Sequence, residues 1–245
     1  VPAGVTSFTV TVPTTADTID EANETYTLTV GAASGTGTIN DDDAAPTIQG
    51  VTSATQVEGT ALVHTVTLTN ASSSSTSFAY TLGGGSATSG TDYTNPPTFS
   101  NGVTLVAGNL IVPAGVTSFT VTVPTTLDTI DEGASENYNL SVGGVAATGT
   151  ITDDDNAPSI ASVSSANAVE ATSIVHTVTL SNASSSNTSY TLSLADVSAT
   201  GGGTDYTSTL TNAAFSNGVT LAAGIITVPA GVTSFTVTVP TTADT

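Results

Sequence analysis

Residues Leu62 to Thr69 read LVHTVTLT, with apolar and hydroxyl side chains in turn, and the same two-residue period recurs along the chain. Alternation of this kind marks a half-buried strand, because successive side chains point to opposite faces of a sheet. In residues 46–157 the pattern predicts seven strands: A over Thr47–Val57, B over Leu62–Thr69, C over Ser77–Leu82, D within Thr98–Val112, E over Val116–Val123, F over Glu136–Val142 and G over Ala147–Thr152. Strand D is interrupted by the turn-prone pair Asn101-Gly102. No window shows a 3.6-residue period with capping residues, so the expected fold is all-β.

A second periodicity is much longer. VPAGVTSFTVTVPTTADT fills Val1–Thr18, returns unchanged at Val228–Thr245, and occurs at Val112–Thr129 with Leu127 as its one difference. An acidic triplet ahead of a proline, Asp41–Asp43 before Pro46, comes back 112 residues later as Asp153–Asp155 before Pro158. That is the size of one β-sandwich domain. The prolines mark repeat starts and divide the chain into 1–45, the tail of one repeat, 46–157, a complete repeat, and 158–245, the front of a third. A sandwich cut across its sheets exposes unpaired edges and half a core. The chain therefore reads as a window on a tandem array. The other reading is that the two partial repeats complete each other between chains, as a head-to-tail filament of copies.

Strand parity places the charges. In an antiparallel seven-strand unit, loops A–B, C–D and E–F and the end of G share one pole, and loops B–C, D–E and F–G share the other. All nine carboxylates of residues 46–157 fall at the first pole: Glu58 in A–B, Asp92 in C–D, Asp128, Asp131, Glu132 and Glu136 at E–F, and Asp153, Asp154 and Asp155 after G. The opposite pole, with NASSSSTS, VPAG and GGVA, has none.

Composition sharpens this asymmetry. The chain contains no Lys or Arg against 20 Asp and Glu, a formal charge of −20. That leaves no basic surface for nucleic acid or anionic lipid and no cation to clamp a phosphate. It also leaves the carboxylates without an internal counter-charge, although two like charges 4 Å apart cost on the order of 4 kcal/mol at an effective dielectric of 20. Oxygen ligands in this number on loops suit calcium, which takes 6–8 of them, better than magnesium, which retains its waters. A solvated acidic rim is the competing reading. The absence of Cys removes disulfides, thiol catalysis and zinc–thiolate sites. No apolar run reaches 18 residues, so no membrane insertion is expected, and a signal peptide is either missing or outside this window.

Five short motifs in order, V-E-G at Val57–Gly59, G-T-D-Y at Gly90–Tyr93, P-A-G-x-T at Pro113–Thr117, E-N-Y at Glu136–Tyr138 and G-T-I-x-D-D-D at Gly149–Asp155, make the complete repeat resemble a Calx-beta domain, and the resemblance extends to both partial repeats. It implies tandem immunoglobulin-like antiparallel β-sandwiches able to bind Ca2+. Carried over residue by residue, it implies metal ligands at Glu58, Asp92, Asp128, Glu132, Asp153, Asp154 and Asp155. In the first partial repeat it points to Asp17, Glu21, Asp41, Asp42 and Asp43, and in the third repeat to Glu170, Asp205 and Asp244. Ala171 stands where the motif has glycine after its glutamate.

Catalysis has little support. His64 and His176, the only imidazoles, sit at matching places in strand B among Leu and Val and read as core residues. The serines lie in low-complexity loops at the pole opposite the acids, and the acidic pole lacks aromatics to stack a sugar. Gly83–Gly85 and Gly201–Gly203 do not lead a strand into a helix, so they are loop glycines, not a phosphate cradle. Sequons occur at Asn23, Asn70, Asn139, Asn182 and Asn187, and Asp196 has no counterpart in the other repeats. The expected protein is an extracellular or cell-surface structural array, a stalk, filament or adhesin extender stiffened by calcium at its joints. The alternative is a module that binds carbohydrate, ice or a partner protein through Thr-rich strand faces.

Overall fold

The structure, a computed structural model, describes residues 1–133 and 135–243. Its strands, in chain order, are β1 (Ile19–Asp20), β2 (Glu24–Val30), β3 (Ala33–Ile39), β4 (Ile48–Val51), β5 (Ala54–Val57), β6 (Leu62–Leu68), β7 (Ala71–Ser72), β8 (Thr76–Gly83), β9 (Thr98–Phe99), β10 (Thr104–Val106), β11 (Asn109–Val112) and β12 (Ser118–Val123). They continue with β13 (Ile130–Asp131), β14 (Glu136–Val142), β15 (Val145–Thr152), β16 (Ile160–Val163), β17 (Ser173–Leu180), β18 (Ala183–Ser184), β19 (Thr188–Thr191), β20 (Thr220–Ala222), β21 (Ile225–Val228) and β22 (Ser234–Pro240). Among the described residues there is no α-helix, and one 3₁₀ turn at Asn212–Ala214. The fold is all-β, with immunoglobulin-like sandwich repeats.

The chain forms two compact units. The first comprises residues 1–54, 61–124 and 138–149, and the second 55–60, 125–137 and 150–245. In the first unit, one sheet has the order β4-β6-β12-β9 and the other runs from the β10–β11 hairpin through β8 to β14 and β15. Alternation does the packing. Leu62, His64, Val66 and Leu68 of β6 are buried, as are Phe119, Val121 and Val123 of β12 and Tyr138, Leu140 and Val142 of β14.

His64 is the polar member of this core. Its Nδ1 lies 2.7 Å from the Thr52 carbonyl and its Nε2 2.9 Å from the Tyr138 hydroxyl. The carbonyl can only accept, so Nδ1 carries the proton and Nε2 accepts from the tyrosine. Burial holds the imidazole pKa below its usual value, with the bond to Thr52 opposing. This is the core role expected for His64.

Two expected strands divide. Strand A breaks at Thr52–Ser53, where Thr52 turns its carbonyl to His64, so that β4 joins one sheet and β5 lies at the edge of the other. Strand D becomes the short β9 followed by the hairpin β10–β11, with Asn101 at φ 54° and Gly102 at φ 72° making the turn between them. Two inserted strands leave the parity unchanged, so the charge placement survives the correction.

The second unit carries the third repeat, with sheets β16-β17-β22 and β19-β21-β20. Its core is Val178, Leu180, Val219, Ile226, Val228, Phe235, Val237 and Val239.

The repeated VTSFTVTV segment shows what the local pattern cannot decide. At residues 118–123 and 234–240 it forms β12 and β22, paired to β6 and β17. Residues 5–12 have the same sequence but form no strand, and Phe8 is 57 % exposed where Phe119 and Phe235 are each 1 % exposed. A strand needs a neighbouring strand for its backbone and a facing layer for its side chains, and sequence periodicity supplies neither. Accordingly, Phe119→Ala should cost about 3–5 kcal/mol, whereas Phe8→Ala in an identical local sequence should stay within about 0.5 kcal/mol, as read by urea denaturation of dilute protein.

Candidate metal centre and the joints between repeats

Of the nine carboxylates at the acidic end of the complete repeat, all but Asp92 lie within the second unit. The Glu58 N–H donates to the Thr152 carbonyl at 3.0 Å and the Gly59 N–H to Thr126 at 3.2 Å. These bonds tie the segment after β5 to the end of β15 and to the loop after β12, the three places that parity put at one pole.

Asp153 then organises the loop. Its Oδ2 accepts the N–H groups of Glu132 at 2.9 Å and Gly133 at 3.1 Å, and its Oδ1 accepts that of Asp155 at 3.0 Å. Asp128 caps its own turn by accepting the Ile130 N–H at 2.7 Å. The first partial repeat, in the other unit, repeats the scheme: Asp41 accepts from Glu21 and Asp43, and Asp17 from Ile19.

Inside this frame the carboxylates of Glu58, Asp153 and Asp155 converge, each offering an oxygen within 4.8 Å of the others. Glu58 is only 6 % exposed. Its Oε1 and Oδ2 of Asp155 are buried with no hydrogen-bond partner among the described residues. Burial, followed by the charge of Asp128, pushes the Glu58 carboxyl up to about 7, helped by a side-chain hydrogen bond to Asp154 and opposed by the Asp128 backbone N–H. Asp155 is also raised, by burial and then by Asp153, Asp154 and Asp128, opposed by a side-chain hydrogen bond with Glu58. Chemically this is a preformed group of oxygen donors in mutual repulsion, with no positive side chain anywhere in the sequence.

The remaining expected ligands divide. Glu132 serves Asp153 through its backbone, and Asp128 and Asp154 border the cluster through their effect on Glu58. Asp17, Glu21, Asp41, Asp42 and Asp43 line one small pocket of about 50 Å³, but no three of their carboxylate oxygens come within 4.8 Å of one another. Burial, then the Asp17 charge, raises Glu21, while burial, then Asp42, raises Asp43. Asp92 accepts the Thr88 N–H at 2.5 Å and Asp205 that of Thr200 at 2.5 Å, so both organise their own loops. Glu170 sits in an exposed turn, and Ala171 after it adopts φ 58°, the conformation that Gly59 takes at φ 71° without a Cβ penalty. No metal-sized carboxylate group forms at Glu170 or Asp205 among the described residues. Asp244 lies outside the described residues. Asp196 has a structural role: it accepts the Tyr206 hydroxyl at 2.6 Å and the Gly201 N–H at 2.9 Å, which lowers its pKa.

The uncharged loops hold contacts to which the charge pattern gives no clue. In the first unit, β1 pairs in parallel with β7, Asp20 opposite Ser72. The Ser73 N–H donates to the Asp20 carbonyl at 2.9 Å, and Ser72 Oγ to Asp20 Oδ2 at 2.7 Å. In the second unit β13 pairs with β18 in the same way, Asp131 opposite Ser184, with Ser185 N–H on the Asp131 carbonyl at 2.8 Å. Asn70 Nδ2 holds the Ala44 carbonyl and Asn182 Nδ2 that of Asn156, each at 2.9 Å. Each unit thus clamps the acidic E–F loop of one repeat to the B–C loop of the next. The shared N-A-S-S-S of Asn70–Ser74 and Asn182–Ser186 was the available signal. These bonds also occupy the nitrogens of two sequons, as Asn139 Nδ2 is occupied by the Gly84 carbonyl.

The raised Glu58 pKa has a definite sign. Between its ordinary value of 4.5 and about 7 the folded state holds a proton that the unfolded state has released, so the contribution of Glu58 to stability is full below 4.5 and is lost as pH rises through about 7. In chelator, melting temperature should therefore fall from pH 5 to 7.5, and Glu58→Gln should flatten that part of the curve and raise the melting temperature at pH 7.5. A wild-type curve with no such decline would contradict the assignment.

Among curated proteins, none matches this chain. Similar solved structures include the calcium binding domain CBD12 of CALX1.1, at 15 % identity with 82 % of this chain and 77 % of that chain covered and a TM-score of 0.34. CBD12 from CALX1.2 is similar at 16 % identity, with 80 % and 74 % covered and a TM-score of 0.33. The family model for the Calx-beta domain matches residues 2–49, 41–164 and 153–232, nearly the whole length, and the chain belongs to the Calx-beta domain family.

Proposed function

We propose that this chain is a non-catalytic, calcium-binding segment of an extracellular structural array, built from repeats divided at 1–45, 46–157 and 158–245. One observation carries the reading: the buried, unpartnered oxygens of Glu58 and Asp155 converge with a carboxylate oxygen of Asp153. Carboxylates in this arrangement remain stable only if protonated or bound to a cation. Their oxygen-only donor set fits calcium. Glu58, Asp153 and Asp155 would hold the ion, with Asp128 and Asp154 at its border. A bound calcium supplies the counter-charge that the sequence lacks.

The chain's own part is to fix the donors before binding. Asp153 does so by anchoring the E–F loop, and the clamp of Asp131 on Ser184 and Ser185 sets that loop against the following repeat. An ion there would stiffen the joint. Since binding requires Glu58 ionised, affinity should rise with pH through about 7. Among the described residues no helix is long and apolar enough to cross a membrane. Placement outside the cell belongs to this proposal, and there a site with a dissociation constant of roughly 10⁻⁴–10⁻³ M would suffice.

At a calcium concentration about ten times the Kd, one site adds about 1.4 kcal/mol, so calcium at about 1–10 mM should raise the melting temperature by about 3–6 °C over chelator. Glu58→Gln and Asp155→Asn should each remove most of that gain. A melt that is the same in calcium and in EGTA at pH 7.5 would contradict the proposal.

A further inference from the structure

Leu127 is the one difference among the three copies of the long repeated segment, and Ala16 and Ala243 stand in its place in the other two. It is 64 % exposed, so it is no core residue. What it touches is the segment that carries Glu58. A Cβ built on Gly59 would lie 2.9 Å from Leu127 Cβ, 3.4 Å from its Cδ1 and 3.5 Å from its Cγ, so the leucine stands directly against the glycine. A hydrogen bond lies on each side of that contact. The Gly59 N–H donates to the Thr126 carbonyl at 3.2 Å, and the Asp128 N–H donates to the Glu58 carboxylate. Three successive residues thus bracket Glu58 and Gly59, and only the middle one does so with its side chain.

The bracket matters because Glu58 has a reason to leave. Its carboxylate is buried beside those of Asp153 and Asp155, and the sequence has no basic side chain to hold it there. Turning out into water would relieve both the burial and the repulsion. Such a relaxation lowers the energy of the empty site and therefore its affinity for a cation, whereas donors held in place bind without that loss. Two hydrogen bonds can swing together as their loop moves. A branched side chain against the Cα of Gly59 fixes the spacing of the two segments, and an approach this close needs a residue without a Cβ. The third repeat changes both partners together, with Ala171 in the place of Gly59 and Ala243 in that of Leu127.

We propose that Leu127 is a positioning residue for the cation site of the complete repeat: packed on Gly59, it keeps the Glu58 carboxylate beside Asp153 and Asp155 and thereby raises the affinity of the site. The gain in affinity rests on the calcium reading, whereas the positioning rests on the packing alone.

Leu127→Ala introduces the residue that the chain itself carries at this place in two other copies, and its melting temperature in EGTA should stay within about 2 °C of wild type. Two other quantities should move. By isothermal titration calorimetry the calcium Kd of the site that Glu58→Gln removes should rise about three- to tenfold. In EGTA the Gly59 N–H should exchange with solvent about tenfold faster. Leu127→Met, of similar volume, should restore most of both. Gly59→Ala should weaken calcium binding more than Leu127→Ala does, and the double variant, which reproduces the pairing of the third repeat, should lose less than the product of the two single losses. Unchanged exchange at Gly59 in Leu127→Ala overturns the proposal whether or not calcium binds. So does a calcium affinity equal to that of wild type, or one that falls only alongside a matching loss of melting temperature in EGTA. A wild-type chain that takes up no calcium contradicts the calcium reading instead, and the exchange rate then decides the positioning by itself.

Discussion

The carboxylate of Asp153 holds the acidic end of the complete repeat in shape. With three backbone N–H groups on its two oxygens it binds the loop after β12 to the segment after β15, a link made twice in the chain, by Asp153 and by Asp41. The consequence is electrostatic. Once the loop is fixed, Glu58 and Asp155 lie beside Asp153, and their burial removes the water that would otherwise screen them. In the ion-free protein the compromise is a proton on Glu58 at pH values where an exposed glutamate would be ionised. A divalent cation in its place would satisfy the same oxygens, its attraction outweighing the repulsion among them.

Much of this was legible in the residues. Two-residue alternation located the strands, and parity gathered the acids at one end. The inserted β10–β11 hairpin did not disturb that placement, because an even number of extra strands returns the chain to the same pole. The division of strand A was not legible, since it depends on the Thr52 carbonyl meeting His64 through the core. Nor could any local reading separate residues 5–12 from 116–123. The sequences are the same, and only the presence of β6 alongside makes one of them a strand.

The candidate ligands were legible as residue types at one pole, but not as a geometry. Carboxylates that looked equivalent in the sequence have different tasks: Asp153 takes backbone N–H groups, Asp92 and Asp205 hold their own turns, and Glu58 and Asp155 each keep one buried oxygen with no hydrogen-bond partner among the described residues. The joints were hidden for a plain reason. They are made by backbone carbonyls of Asp20 and Asp131 and by the uncharged Asn70, Ser72, Asn182 and Ser184, and hydrogen bonds of this kind leave no mark in charge or hydropathy. Compactness follows these clamps rather than the repeat boundaries, for each unit unites the acidic end of one repeat with the body of the next.

Calcium at the Glu58–Asp153–Asp155 cluster is tested most directly by a crystal structure of the chain grown in about 50 mM calcium, far above a dissociation constant of roughly 10⁻⁴–10⁻³ M. An anomalous-scattering peak bonded at about 2.3–2.6 Å to oxygens of Glu58, Asp153 and Asp155 is the result expected. Water-bridged or protonated carboxylates with no calcium among them, at a concentration well above the dissociation constant of such modules, would contradict the account.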